Sequence, residues 1–273
     1  MRRLPCWALV VATLASLVET RTFGTCGSAG EVVGASGRIG SLCLGAGRGT
    51  LAAVPRGLAP GGLSPPGQPI IVAVPASALE SVLRATPTER IQDLVLLCNG
   101  MAVERAEVIL GVDEASTLTA GCLYFGVLDP GAPPTHGHGA PATALAGRHA
   151  RAVAELIESA GPRCRVVEAN ALTPIAERKM LWSAAMWLVC AAHGCTVSEA
   201  HILHADLLRD LIAELAAECG QAVNEDLTAT LNELRAYSDS MPHVVPSKEL
   251  AKRELGGRNG WFLRRSADGG RTQ

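Results

Sequence analysis

Val32-Val33-Gly34-Ala35-Ser36-Gly37-Arg38-Ile39-Gly40-Ser41 runs a short apolar stretch into a turn built on regularly spaced glycines. This is the layout of a strand that feeds a helix across a nucleotide-binding loop. Glycines there let the backbone turn tightly and approach a pyrophosphate, which rests on free N–H groups at the helix N-terminus. The spacing is G-x-x-G-x-x-G, a variant of the more usual G-x-G-x-x-G. With 29 glycines in the chain, a glycine-rich surface loop competes with this reading. Gly34, Ala35, Ser36, Gly37, Arg38, Ile39 and Gly40 form the candidate cradle.

Downstream, Leu42 to Leu44 is helix-like, and Thr50-Leu51-Ala52-Ala53-Val54-Pro55-Arg56 reads as a second strand ending in an arginine. In a dinucleotide-binding fold that position faces the adenosine ribose. A carboxylate there holds a 2′-hydroxyl, whereas an arginine suits a 2′-phosphate. No Asp or Glu occurs between Glu31 and Glu80, which favours NADP(H) over NAD(H). A solvated loop arginine beside Pro55 and Gly57 is the competing reading of Arg56.

The 273 residues suffice for one large domain or two ordinary ones. Hydrophobic residues make up 48%, charged residues 18% and aromatics 3%, which fits a soluble chain with an aliphatic core. The formal net charge is -2, and basic residues cluster no further than short Arg pairs, so a nucleic-acid partner is not supported. Nine dispersed cysteines, an odd number, read as reduced thiols rather than a disulfide framework.

Met1-Arg2-Arg3 precedes an almost wholly apolar Leu4 to Val18. A charged start followed by an apolar stretch is the layout of a targeting leader, and it is short for a membrane span. A leader over residues 1–25 would direct a cofactor-dependent protein with free thiols to a plastid or mitochondrion. The alternatives are a buried N-terminal element and a cytoplasmic location.

Ile70-Ile71-Val72-Ala73-Val74 reads as a buried parallel strand, Ala76 to Arg84 as a helix, and Leu94 to Cys98 as the next strand. A helix over 102–110, strands near 117–127, a loop from Gly131 to Pro141, a helix from Ala144 to Ala160 and a strand from Arg165 to Glu168 follow. Alternating strands and helices imply a parallel α/β sheet. The stretch between Gly40 and Ile70 is short for a full nucleotide fold, so a helix and a strand are expected to be missing. Beyond residue 169 only helices are expected. Pro174 to Ala192 is apolar all round from Met180 onward, and Ser198 to Glu218 carries a leucine stripe that Gly220 can stop. Further helices are read near 225–236 and 247–255. The expected division is a Rossmann-type NADP-binding domain over 28–169, an all-α domain over 170–265 and a disordered tail over 266–273.

Three segments resemble ketopantoate reductases. They are Cys98-Asn99-Gly100-Met101 at a strand end, Lys179 at the start of the buried helix, and Arg253-Glu254-Leu255-Gly256-Gly257-Arg258-Asn259-Gly260-Trp261-Phe262. The R-N-G-W-F wording resembles plant and algal members especially, and the likeness covers roughly residues 30 to 263. It implies a Rossmann-type domain followed by a helical domain of the 6-phosphogluconate-dehydrogenase type. It also implies an NADPH-dependent reduction of a small 2-keto acid and leaves a homodimer open. In the implied roles Asn99 sits beside the nicotinamide and ribose, and Lys179 donates to the substrate carbonyl oxygen. Glu254 orients the substrate hydroxyl or the lysine. Ser183 stands where the family has an asparagine one turn after the lysine, and the usual lysine after the Ile70–Val74 strand is absent. Ser240 and Ser247 compete for the family serine, and Ser240 matches the local wording better.

The alternative is a catalytically degenerate protein of the same fold that binds nucleotide or a partner. His136 and His138 have no third ligand spaced near them, and His201 and His204 beside Glu199 read as a solvated helix face rather than a zinc site. No metal is expected. Trp182 and Trp187 are read as core.

Overall fold

The computed structural model describes residues 28–111, 118–219, 226–246, 248–253, 255 and 259–269. The leader, Gly220, Ser247 and Glu254 lie outside these residues.

Seven strands form one sheet: β1 (Gly30–Val33), β2 (Leu51–Ala53), β3 (Ile70–Val72), β4 (Leu94–Leu96), β5 (Thr119–Cys122), β6 (Thr143–Ala146) and β7 (Cys164–Val166). Their order is β2-β1-β3-β4-β5-β6-β7. Every pairing is parallel except β5 with β6, where Gly121 faces Leu145. Helices α1 (Arg38–Ala46), α2 (Ala76–Ala85), α3 (Ala102–Leu110) and α4 (Ala150–Glu158) flank the sheet. Ile71, Val95 and Leu145 pack on one face with Cys43 of α1 and Ile157 of α4. Ile70, Val72, Leu94 and Leu96 pack on the other with Leu79 and Leu83 of α2 and Ala106 of α3. Burial on both faces explains why β3 and β4 read as unbroken apolar runs.

Two expectations are corrected here. Thr143–Ala146 is a strand, not the start of a helix, and the helix begins only at Ala150. All four β6 residues are buried, and pairing with β5 overrides the helical preference of alanine. The region near 117–127 contributes one short strand, Thr119–Cys122.

The expected shortening is present. The chain passes from β2 to β3 through residues 54–69 with no helix or strand described there. A buried polar network fixes this loop. The fully buried Glu31 carboxylate accepts from the N–H groups of Gly61 (2.8 Å), Leu63 (2.8 Å) and Ser64 (2.7 Å), and from the Ser64 hydroxyl (2.9 Å). Arg90 donates to the Ser64 carbonyl (2.8 Å), the Gln68 carbonyl (3.3 Å) and Asp93 (2.7 Å). Asp93 also accepts from the Gly67 N–H at 2.8 Å.

From Ala169 onward the chain is helical: α5 (Ala169–His193), α6 (Val197–Leu203), α7 (Ala205–Ala216), α8 (Leu227–Ser238), α9 (Lys248–Arg253) and α10 (Asn259–Gly269). The Met180–Met186 stretch of α5 is buried at every position, as its all-round hydrophobicity requires. Gly194, at φ +65°, ends α5 with its N–H on the Cys190 carbonyl. The single helix expected over 198–218 is broken at His204, which stacks on His193 at 3.8 Å. The break turns Leu203 (67% exposed) and Leu207 (42%) outward, while Leu208 and Ile212 stay buried. Helix α10 continues to Gly269, four residues into the stretch expected as tail. Among the described residues no single helix is long and apolar enough to cross a membrane.

Candidate active site

The C-terminal ends of β2, β1, β3 and β4 bring Arg56, Gly34, Ala73 and Asn99 to one edge of the sheet. β2 and β3 lie on opposite sides of β1, so the crevice between β1 and β3 is the switch point where such sheets bind ligands. Gly34 has φ +83°, and a Cβ on it would stand 2.4 Å from the Ala73 carbonyl oxygen. A Cβ on Gly40 would stand 2.1 Å from the Gly34 oxygen. These two glycines are therefore needed for the close approach of strand, loop and α1.

A cleft of about 840 Å³ opens at this point, lined by Gly34, Ala35, Ser36, Gly37 and, from the β2 end, Arg56. Gly37 precedes the first turn of α1 with no side-chain cap, so that turn keeps donors for an anion. The sequence groups Arg38 and Ile39 with this cradle, but the structure turns them elsewhere. Arg38 begins the helical rotation of α1 and reaches toward the Val127 carbonyl, with Nη1 at 3.4 Å.

Arg38 and Ile39 line a second cavity of about 300 Å³ together with Asn99, Lys179, Trp182 and Tyr237. A third, of about 220 Å³, is lined by Asn99, Glu104, Glu107, Cys122, Lys179 and Ser183 among others. Asn99 and Lys179 belong to both. Lys179 Nζ donates to Asn99 Oδ1 at 3.1 Å and stands 5.9 Å from the centre of the Tyr237 ring. One turn further along α5, Ser183 is 3% exposed and lines only the smaller cavity. Burial pushes the Cys122 thiol up to about 11, against a smaller opposing pull from Lys179, so it stays protonated at neutral pH.

Ser240 is not brought to either cavity. Its hydroxyl accepts from the Gly137 N–H at 2.8 Å and ties the loop of residues 131–141 to the end of α8. The R-N-G-W-F block meets the nucleotide half through Trp261, whose indole N–H points between both Glu104 oxygens at 3.1 and 3.0 Å. His136 Nε2 accepts from Arg163 Nε at 3.2 Å, and His201 is half-buried against Ser238. Among the described residues no three metal-ligating side chains converge.

Sequence reading did not foresee the aromatic wall of the larger cavity. Trp182 is in the core as expected, 5% exposed, and also lines this cavity; Trp187, expected in the core, is half-buried in the cavity wall.

No protein-family model and no curated protein sequence matches the chain. Solved structures do. A ternary complex of D-mandelate dehydrogenase with NADH and anilino(oxo)acetate matches at TM-score 0.63 and 15% identity, covering 88% of this chain and 93% of that one. A 2-dehydropantoate 2-reductase from Methylococcus capsulatus matches at 0.60 and 17%, covering 88% and 90%. A ketopantoate reductase from Ralstonia eutropha matches at 0.58 and 17%, covering 88% and 92%. The chain shares the fold of these proteins.

Proposed function

We propose that this chain is an NADP(H)-dependent reductase of a small 2-keto acid. The observation that carries the reading is the contact of Lys179, on the long helix of the helical half, with Asn99, at a strand end of the nucleotide half. It places a cation where both halves meet, in line with the glycine cleft along the sheet edge. The cleft suits a dinucleotide: its floor is so close to the backbone that a Cβ on Gly34 would clash, and Arg56 lines its far end.

The nicotinamide, when bound, supplies the hydride to the keto carbon. Lys179 Nζ donates a hydrogen bond to the keto oxygen, stabilises the negative charge that builds there and gives the alkoxide its proton. Asn99 Oδ1 accepts from the same ammonium and fixes its direction. Arg56, lying beside the adenosine end with no competing carboxylate, favours a 2′-phosphate.

The test is NADPH binding followed by fluorescence, then oxidation of NADPH over a panel of 2-keto acids. Saturable binding and oxidation with at least one of them is the expected result. Binding without oxidation of any would leave a nucleotide-binding protein of this fold, and no binding would remove both readings.

A further inference from the structure

Lys179 stands between two cavities of opposite electrostatic character. The smaller holds Glu104 and Glu107 beside it. The larger holds a second cation, Arg38, and no carboxylate lines it among the described residues. A 2-keto acid carries its carboxylate on the carbonyl carbon, so oxygen and carboxylate must be received side by side. In the smaller cavity Lys179 is joined by two carboxylates that would repel the substrate's own, whereas in the larger it is joined by Arg38 and, among the described residues, by no carboxylate.

Away from the two cations and Asn99, the side chains of the larger cavity are mostly apolar or aromatic. Phe125, Val127, Trp182 and Tyr237 are 4%, 6%, 5% and 4% exposed, and Met241 completes the wall. The Trp182 indole N–H is already committed to the Ser238 hydroxyl at 2.8 Å, so that residue offers only its ring. The Tyr237 ring is held edge-on by Trp182 at 4.8 Å and by Tyr124 at 5.2 Å. A substrate side chain bearing a second carboxylate or a hydroxyl would lose water here against ring faces. An apolar one would gain from burial and ring contact. The volume of about 300 Å³ suits a small ligand.

We propose that this cavity receives a 2-keto acid with a bulky apolar side chain, aromatic or branched, its carboxylate held by Arg38 and its keto oxygen by Lys179. The inference rests on the reductase reading and deepens it. Arg38 lies next to the glycine loop in sequence, yet it acts here on the substrate rather than on the cofactor.

Two non-reducible probes read the cavity without turnover: anilino(oxo)acetate, which carries a ring, and oxamate, which does not. With NADP(H) present, the ring-bearing probe should quench the fluorescence of Trp182 and Trp187. It should bind at least about tenfold more tightly than oxamate, a margin that a few buried methylene equivalents supply. Arg38→Gln changes an exposed side chain, so the fold should hold. It should weaken both probes by about 10- to 100-fold, the range of one charge-assisted hydrogen bond, and leave NADPH affinity unchanged. Arg38→Lys should restore part of the loss. Equal affinity for the two probes would overturn the apolar preference. An unchanged probe affinity in Arg38→Gln, or a loss confined to NADPH, would overturn the role of Arg38. In kinetics, phenylpyruvate and 4-methyl-2-oxopentanoate should exceed 2-dehydropantoate and pyruvate in kcat/KM. The reverse order would sink this inference and leave the reductase standing, whereas NADPH binding with no turnover of any keto acid would sink the reductase.

Discussion

Lys179 and Asn99 are 80 positions apart in sequence, yet Nζ and Oδ1 are 3.1 Å apart. The bond joins the middle of α5 to the end of β4, one partner from each half of the molecule. It makes the geometry of the lysine depend on how the halves meet.

Lys179→Ala should lower kcat by about 10²–10³ while NADPH affinity stays within about twofold, because the charge acts on an oxygen that turns anionic only during reaction. Asn99→Ala should cost less in kcat, since it removes the aim of the ammonium and not the ammonium. Single-turnover rates beside NADPH titrations separate the two effects. Full activity in Lys179→Ala would remove the proposed mechanism.

Arg56→Ala should weaken NADPH by about 10- to 100-fold and barely alter NADH, the signature of a lost charge-assisted contact to a 2′-phosphate. Its exposed position beyond the end of β2 keeps folding out of the readout. Equal loss for both cofactors would show that Arg56 does not read the phosphate.

Two glycines of the same segment should respond oppositely to alanine. Gly34→Ala puts a methyl 2.4 Å from the Ala73 carbonyl at φ +83°, and should cost more than about 1 kcal/mol while abolishing cofactor binding. Gly45→Ala falls at an exposed position of α1 with no atom within 4 Å of the added Cβ. It should stabilise by about 0.5 kcal/mol. Urea melts of both variants test the contrast, which fails if both are destabilised alike.

Arg90→Ala should destabilise by about 3–5 kcal/mol, because Asp93 and the carbonyls of the 54–69 loop would lose their buried donor. Arg90→Lys should not rescue it, as one ammonium cannot reproduce the fork that reaches Asp93, Ser64 and Gln68. A wild-type-like melt for the lysine variant would refute the argument.

Burial holds the His201 imidazole down, to about 4, with Arg235 adding to the effect and Asp239 opposing it. The Ser238 hydroxyl gives its proton to the Leu234 carbonyl (2.9 Å) and accepts from Trp182, so His201 Nε2 donates to it as a neutral ring. A folded-state pKa below the unfolded one means that stability from this group is full above about pH 6.5 and is lost as pH falls toward 4. Urea midpoints should therefore drop across that interval, and His201→Gln should flatten the drop. An identical pH slope in the variant would assign it to other groups.

The glycine loop, the alternation of strands and helices and the change of character near residue 169 were legible because each rests on a local pattern. Thr143–Ala146 was not, because Thr-Ala-Leu-Ala has the composition of a helix and only the neighbouring β5 makes it a strand. The Glu31–Ser64–Arg90–Asp93 network was hidden for a similar reason: it joins a strand, a loop and a 3₁₀ turn that share no periodicity. Lys179, Asn99 and Ser183 were reached through resemblance, and the structure gathers them. Trp182 is in the core as read, but that it and the half-buried Trp187 also wall a cavity was not legible, because a buried apolar wall and a cavity wall look alike in sequence. That the Arg38 side chain lines the neighbouring cavity was not legible, because adjacency in the chain says nothing of where a helix's first turn points its side chain.

Helix α5 runs for 25 residues with Pro174 inside it, and Lys179 stands ten residues from its start at Ala169. At 1.5 Å per residue that is an arm of about 15 Å, so a tilt of only about 5° at the start sweeps the lysine through roughly 1 Å. A displacement of that size can cost about 10²-fold in rate. The lysine thus rides on a lever, and the bearings are the contacts of the whole helix, including its far end at Gly194. Substitutions that loosen those bearings, remote from every cavity, should slow turnover while sparing cofactor affinity.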